Sequence, residues 1–377
     1  MPEIHIHGTP DYQELAALGW TPADVTVFSS NINPFGPPPA VIEAVRTAAN
    51  AATIATYPDR FSSALRCALA AYHDVDEGSI LVGNGTADIM WLLAHVYGQG
   101  AHAVIVEPTF SEYRNALSLV RARISAVSHP GWNRSASGEY VTASTTVDDC
   151  ATAIAKTAPD LVFICNPNNP SGHTLTPAQL RTLHEAAPDA LWIVDEAYAD
   201  FTAEPWSAAA WAAAGGWIVL RSMTKDFALG GLRVGYLIGA PAQIDALNAA
   251  QPPWNVNNVA QIAGVAALDE LAWRTATMAR LREEVAGMRQ SLRSMGFHPL
   301  PTTVNYFLLL VGDAAAVRTA LFRQKLIVRD CTSFGLPYAI RIAMQLPEQN
   351  ARLVDAMRRL ASTPKSVPEE PTEKTSG

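Results

Sequence analysis

Between residues 79 and 239, short apolar runs alternate with longer stretches in which apolar residues return every three or four positions. The runs are SILVG (79–83), HAVIVE (102–107), RISAVS (123–128), DLVFICN (160–166), ALWIVDE (190–196), WIVLRS (217–222) and VGYLIG (234–239). Runs rich in Val and Ile without polar alternation predict strands buried on both faces. The helical stretches between them, such as 87–97 and 176–187, complete βαβ units. The pattern predicts an α/β fold, with a mostly parallel seven-stranded sheet sandwiched by helices.

Both ends depart from this rhythm. NINPFGPPP (31–39) is proline-rich and extended, and it feeds a helix expected over 40–52. After QPPWNVN (251–257) come a long helix over about 259–295, VNYFLLLV, a helix, LIVRD, YAIRIAM and a last helix over 348–361. That order predicts a smaller α+β domain. The expected division is an N-terminal arm (1–38), a large domain (39–255), a small domain (256–362) and a polar tail (363–377) with the composition of a disordered segment.

Composition narrows the partners. The net charge is −8 with no basic stripe, which argues against nucleic acid. Cys67, Cys150, Cys165 and Cys331 lie far apart with no metal-ligand spacing, so no metal site is expected. No apolar run approaches the length that spans a bilayer, roughly 20 residues. MPEIHIHGTP has no signal-peptide pattern. A soluble cytoplasmic protein with a small-molecule partner is the expectation.

In doubly wound sheets, ligands bind beyond the carboxyl ends of the strands. Those ends here carry NGTAD, PTFSEY, NPNNPSG, DEAYADF and SMTK. Gly85, Thr86 and Ala87 fall where a strand turns into a helix, a place whose N–H groups and dipole favour an anion; an N-cap by Thr86 is the plainer reading. Asp195 and Glu196 close an apolar strand, where a carboxylate requires a cation or donors; a structural ion pair is the plainer reading. Lys225 follows Ser222 by three residues and precedes Arg233 by eight. A lysine desolvated at a strand end has a lowered pKa, and its neutral amine can attack a carbonyl.

Taken together, SMTK with its following Arg233, NPSG (169–172) and DEAY (195–198) resemble the fold-type I, aspartate aminotransferase-like family of pyridoxal phosphate enzymes. The resemblance runs to about residue 362. It implies that Lys225 carries pyridoxal 5'-phosphate as a Schiff base, while Ser222, Arg233, Gly85, Thr86 and Ala87 hold the cofactor phosphate. By the same resemblance Asp195 pairs with the ring nitrogen, Asn169 and Tyr198 reach the phenolic oxygen, and Phe110 stacks on the ring. Tyr57 resembles the residue that reaches the cofactor of a neighbouring subunit, which implies a homodimer with shared sites. Arg341, with Arg329, Asn33 and His7, takes the place of substrate-binding residues.

Two branches of that family handle phosphorylated amines. FSSNINPFGPP, QPPWNVN, VRDCTSFGLP and HIHG look like the L-threonine-O-3-phosphate decarboxylases of cobalamin biosynthesis, whereas NPNNPSG and DEAYADF look like the histidinol-phosphate aminotransferases. On sequence, decarboxylation of threonine phosphate is the first expectation, and transamination of histidinol phosphate with 2-oxoglutarate or glutamate is the alternative. The distinction rests on which Cα bond stands perpendicular to the ring, a torsion set by pocket contacts.

Overall fold

The computed structural model describes residues 11–135, 138–143 and 145–362. The expected tail and the His5–His7 segment lie outside the described residues. All seven anticipated strands form one sheet, ordered Ile80–Gly83, Gly235–Gly239, Trp217–Ser222, Leu191–Asp195, Leu161–Cys165, His102–Glu107, Arg123–Ser128. Only Gly235–Gly239 runs antiparallel to its neighbours. Successive residues feed opposite cores: Val104 and Val106 join one apolar cluster, and Ala103 and Ile105 the other. Burial on both faces is the physical reason these strands read as unbroken apolar runs.

The carboxyl ends of five parallel strands, at Gly83, Glu107, Cys165, Asp195 and Ser222, therefore lie along one edge. Gly235 begins the antiparallel strand at that same edge, opposite Gly83 and Ser222. A Cβ there would sit 2.8 Å from the Thr86 amide nitrogen. Only glycine lets the strand pass so close beside the start of helix Thr86–Tyr97.

A four-stranded antiparallel sheet, ordered His298–Pro299, Tyr306–Leu310, Ala339–Ala343, Arg329–Asp330, builds the second unit. The long helix expected over 259–295 is two helices, Asn258–Leu268 and Leu271–Ser294. The first packs on helices Pro39–Ala48 and Ser63–His73 and buries Ala260, Ala263 and Ala267 in the large core. The second places Met278, Leu281, Val285, Met288 and Leu292 in the core of the small sheet. The turn at Asp269–Glu270 is thus where the packing passes from one unit to the other. Phe28 of the N-terminal arm is fully buried in the small-sheet core, and Thr26–Val27 pairs in parallel with Leu326–Ile327.

Candidate active site

A cavity of about 340 Å³ opens between the strand edge and the small sheet. Thr86, Ala87, Phe110, Asn169, Asp195, Tyr198, Lys225, Arg233, Arg329 and Arg341 all line it, so residues far apart in the chain meet there. At one end lies an anion cradle. Helix Thr86–Tyr97 begins after Gly85, whose φ of +81° is left-handed. Among the described residues no side chain caps the helix's first N–H groups, so they can serve a ligand. Thr86 is accordingly the first helical residue and not the cap that the sequence allows. A Cβ on Gly85 would meet the Arg233 guanidinium at 2.6 Å, so that cation lies directly over the helix start. The Ser222 and Thr224 hydroxyls, 2.7 Å apart, complete a donor set with the chemistry of a phosphate site.

At the next strand end two adjacent carboxylates part company. Glu196 faces away and is consumed by structure: it accepts from Arg221 at 3.1 Å, from the Ser207 hydroxyl at 2.5 Å and from the Ala208 N–H at 2.7 Å. Asp195 lines the cavity, accepting from the Tyr113 hydroxyl at 2.7 Å and the Ala197 N–H at 3.0 Å. Burial raises its pKa, with those two donors opposing. A buried carboxylate facing the cavity fits a protonated ring nitrogen.

The Lys225 amine, which makes no hydrogen bond among the described residues, is brought down to about 8 by burial and then by the positive charges of Arg341 and Arg233, against the pull of Asp195. That places the neutral amine within reach of ordinary pH. Burial likewise pushes the Tyr198 hydroxyl up to about 12, so it stays a phenol and can donate.

The small sheet supplies the opposite wall. Arg329 and Arg341 are cross-strand partners, both line the cavity, and burial followed by the Arg341 charge brings Arg329 down to about 10. Arg341 donates to Asn169 Oδ1 and, at 2.8 Å, to the Ser29 carbonyl, while its buried Nε has no partner among the described residues. Two neighbouring guanidiniums call for an anion between them.

One expected substrate residue does not line this cavity. Asn33 is buried but does not line it; its side chain turns instead to Asp226 O, Thr277 Oγ1 and the Phe35 N–H, all within 3.1 Å. Tyr57 is 76% exposed and stacks on Trp254 at 4.6 Å, away from the cavity of its own chain. His7 lies outside the described residues. Conversely, the sequence alone does not single out Tyr113, Thr224, Ser29 and Asn31. Tyr113 stands inside PTFSEY and Thr224 inside SMTK, so both fall within the strand-end motifs; Asn31, whose amide donates to the Tyr198 hydroxyl at 3.1 Å, opens the arm's proline run.

A lysine between an anion cradle and a buried carboxylate, at the carboxyl edge of this sheet, defines a pyridoxal phosphate enzyme of the aminotransferase type. The match to the family model "Aminotransferase class I and II" over residues 23–357 is in accord, and the chain belongs to that family. Pyridoxal phosphate is thus its cofactor, and the residues present fit it. The histidinol-phosphate aminotransferase of Symbiobacterium thermophilum is 35% identical, over 89% of this chain and 90% of its own. Further curated relatives at 30% to 35% identity bear the same name. Among solved structures, the L-threonine-O-3-phosphate decarboxylase of Porphyromonas gingivalis is 25% identical with a TM-score of 0.75, over 88% of this chain and 98% of that one. The Sinorhizobium meliloti histidinol-phosphate aminotransferase, solved in complex with pyridoxal-5'-phosphate, shares the fold at 19% identity and a TM-score of 0.79, over 94% of this chain and 95% of that one.

Proposed function

We propose that this protein is an aminotransferase exchanging the amino group of histidinol phosphate with 2-oxoglutarate. The observation that carries this reading is the common name of its curated relatives at 30% to 35% identity over most of the chain. It reverses the order of the two branches weighed from sequence, where decarboxylation stands first.

Pyridoxal phosphate supplies the aldehyde that takes up the amino group and the ring that accepts electrons. Thr86, Ala87, Ser222, Thr224 and Arg233 would hold its phosphate, and Phe110 would cover its ring. Asp195 would keep the ring nitrogen protonated, with Tyr113 fixing that carboxylate; Asn169 and Tyr198 would serve the phenolic oxygen. Lys225 Nζ, whose amine burial and the neighbouring guanidiniums favour in the neutral form, would take the proton from the substrate Cα and deliver it to the aldehyde-derived carbon that keeps the amino group. Arg341 and Arg329 receive the anionic ends of the substrates: a carboxylate from glutamate, a phosphate from the amine.

The protein is also proposed to act as a homodimer. Ile54, Tyr57, Phe61, Trp254 and Ile262 are exposed apolar residues, from 40% to 76%, four of them within or beside the segments that bear the Tyr57–Trp254 stack. An exposed apolar patch of this kind suits a subunit interface, across which Tyr57 would reach the partner's cofactor phosphate.

The test is one pair of incubations of purified protein. Glutamate formed from histidinol phosphate and 2-oxoglutarate supports the reading. Carbon dioxide released from L-threonine O-3-phosphate, without glutamate in the first incubation, overturns it in favour of the decarboxylase that the 25% identical solved structure represents.

A further inference from the structure

The arm segment 28–33 passes between the two sheets and bonds to each side of the site in turn. The Ala343 N–H donates to Phe28 O at 2.8 Å, and Arg341 Nη2 to Ser29 O at 2.8 Å. Asn31 donates to the Tyr198 hydroxyl at 3.1 Å and accepts at its carbonyl from Asn305 at 3.2 Å. The Asn33 N–H then donates to Lys225 O at 2.9 Å.

The Asn33 side chain extends this clip. Only 1% exposed, it donates to Asp226 O at 2.9 Å and Thr277 Oγ1 at 3.1 Å, and accepts from the Phe35 N–H at 3.1 Å. Both amide N–H groups and the amide oxygen are engaged, which leaves little capacity for a ligand. Ile32 presses on the same loop: a Cβ on Gly230 would come within 2.8 Å of its Cδ1. One turn before Thr277 on helix Leu271–Ser294, Arg274 reaches Asp226 at 3.4 Å and Asp200 at 3.3 Å. One stretch of that helix thus holds the Lys225–Asp226 segment twice, once through Asn33 and once through the Asp226 side chain.

We propose that Asn33, anchored on Thr277, is a positioning residue for Lys225: it fixes the main chain of residues 225–226 against helix Leu271–Ser294, and with it the place of the lysine amine. This rests on Lys225 being the proton carrier of the proposed reaction. The groups that bear on that amine are Arg341 from the small sheet, Arg233 from the loop beyond and Asp195 from the neighbouring strand end. The arm ties Arg341, Tyr198 and Lys225 together, so the substrate-facing wall and the proton carrier keep one relative position.

The test is the rate at which cofactor-stripped full-length protein captures pyridoxal phosphate, followed by absorbance across about pH 6 to 10. This readout needs no substrate. Wild type is expected to gain rate through about pH 8. In Asn33→Ala and Thr277→Val the midpoint rises toward the ordinary lysine value as the loop loosens and the amine hydrates; Thr277→Ser, which keeps the hydroxyl, follows wild type. In turnover with glutamate, both damaging variants lose about tenfold in kcat with KM little changed. Unchanged midpoints in both variants overturn the proposal. So does an Asn33→Ala protein with normal kcat and a raised KM for the phosphorylated amine, which restores the substrate contact expected from sequence. Should wild type itself form no glutamate, the aminotransferase reading fails, while the capture profiles still decide the role of Asn33.

Discussion

Arg329 and Arg341 stand opposite each other on adjacent strands and face one cavity, a like-charged pair inside the protein. Such a pair is costly until an anion bridges it. Inorganic phosphate at about ten times its Kd is expected to stabilise the cofactor-loaded protein by about 1.4 kcal/mol. Differential scanning fluorimetry reads this as a rise of the melting point, and Arg329→Gln abolishes the rise. An equal rise in Arg329→Gln places the phosphate elsewhere.

Lys225→Ala is expected to abolish turnover and cofactor attachment; retained activity sinks the assignment. The same residue gives a stability effect with a definite sign. The folded protein releases the Lys225 proton at about 8, the unfolded chain only near the ordinary 10.5. Between those values the unfolded state binds more protons, so this group makes cofactor-free protein more stable as pH rises through that window, and its cost is complete below it. Urea denaturation at the two ends of the window measures the gain, and Lys225→Met removes its own share of it.

The strand order and the site illustrate what a sequence carries and what it does not. Seven strands are legible because burial on both faces leaves unbroken apolar runs, and the strand-end rule then locates Lys225, Asp195 and Arg233. Asn33 turns away from the cavity for a physical reason. Its partners, Asp226 and Thr277, lie 193 and 244 positions away, and nothing local to NINP announces them. Asp195 and Glu196 are alike in composition and place, and only the DEAY resemblance singles out Asp195; the sheet turns Asp195 to the cavity and Glu196 to Arg221. Helix periodicity runs across Asp269–Glu270 because both helices bury the same kind of face, so the turn between two cores leaves no apolar gap.

The cradle around Gly85 makes a separate prediction. Arg233→Ala is expected to weaken cofactor affinity by about tenfold to a hundredfold, the range for losing a charge-assisted hydrogen bond. Gly85→Ala is expected to act in the same direction without removing any charge, because its Cβ would displace the Arg233 guanidinium. Its φ of +81° is also strained for alanine. Equilibrium titration of stripped protein with pyridoxal phosphate compares the two. Wild-type affinity in both variants refutes the cradle.

Asp195 makes opposite predictions with and without cofactor. Its carboxylate is buried and has a raised pKa, with two neutral donors and, among the described residues, no cation at hydrogen-bonding distance. A folded-state pKa above the unfolded value costs stability that is absent at low pH and complete once pH exceeds the folded value. Asp195→Asn keeps the size and lets the Ala197 and Tyr113 contacts persist, so cofactor-free variant is expected to melt higher than cofactor-free wild type at neutral pH, and the difference to shrink as the medium is acidified. In the loaded protein the order reverses, since the ring nitrogen then lacks its anion: kcat is expected to fall by about a hundredfold or more, as for loss of one preorganised electrostatic partner. Melting curves and turnover on the same two proteins read both effects. A variant that loses stability in both states, or keeps full kcat, removes Asp195 from the role its place at the strand end assigns.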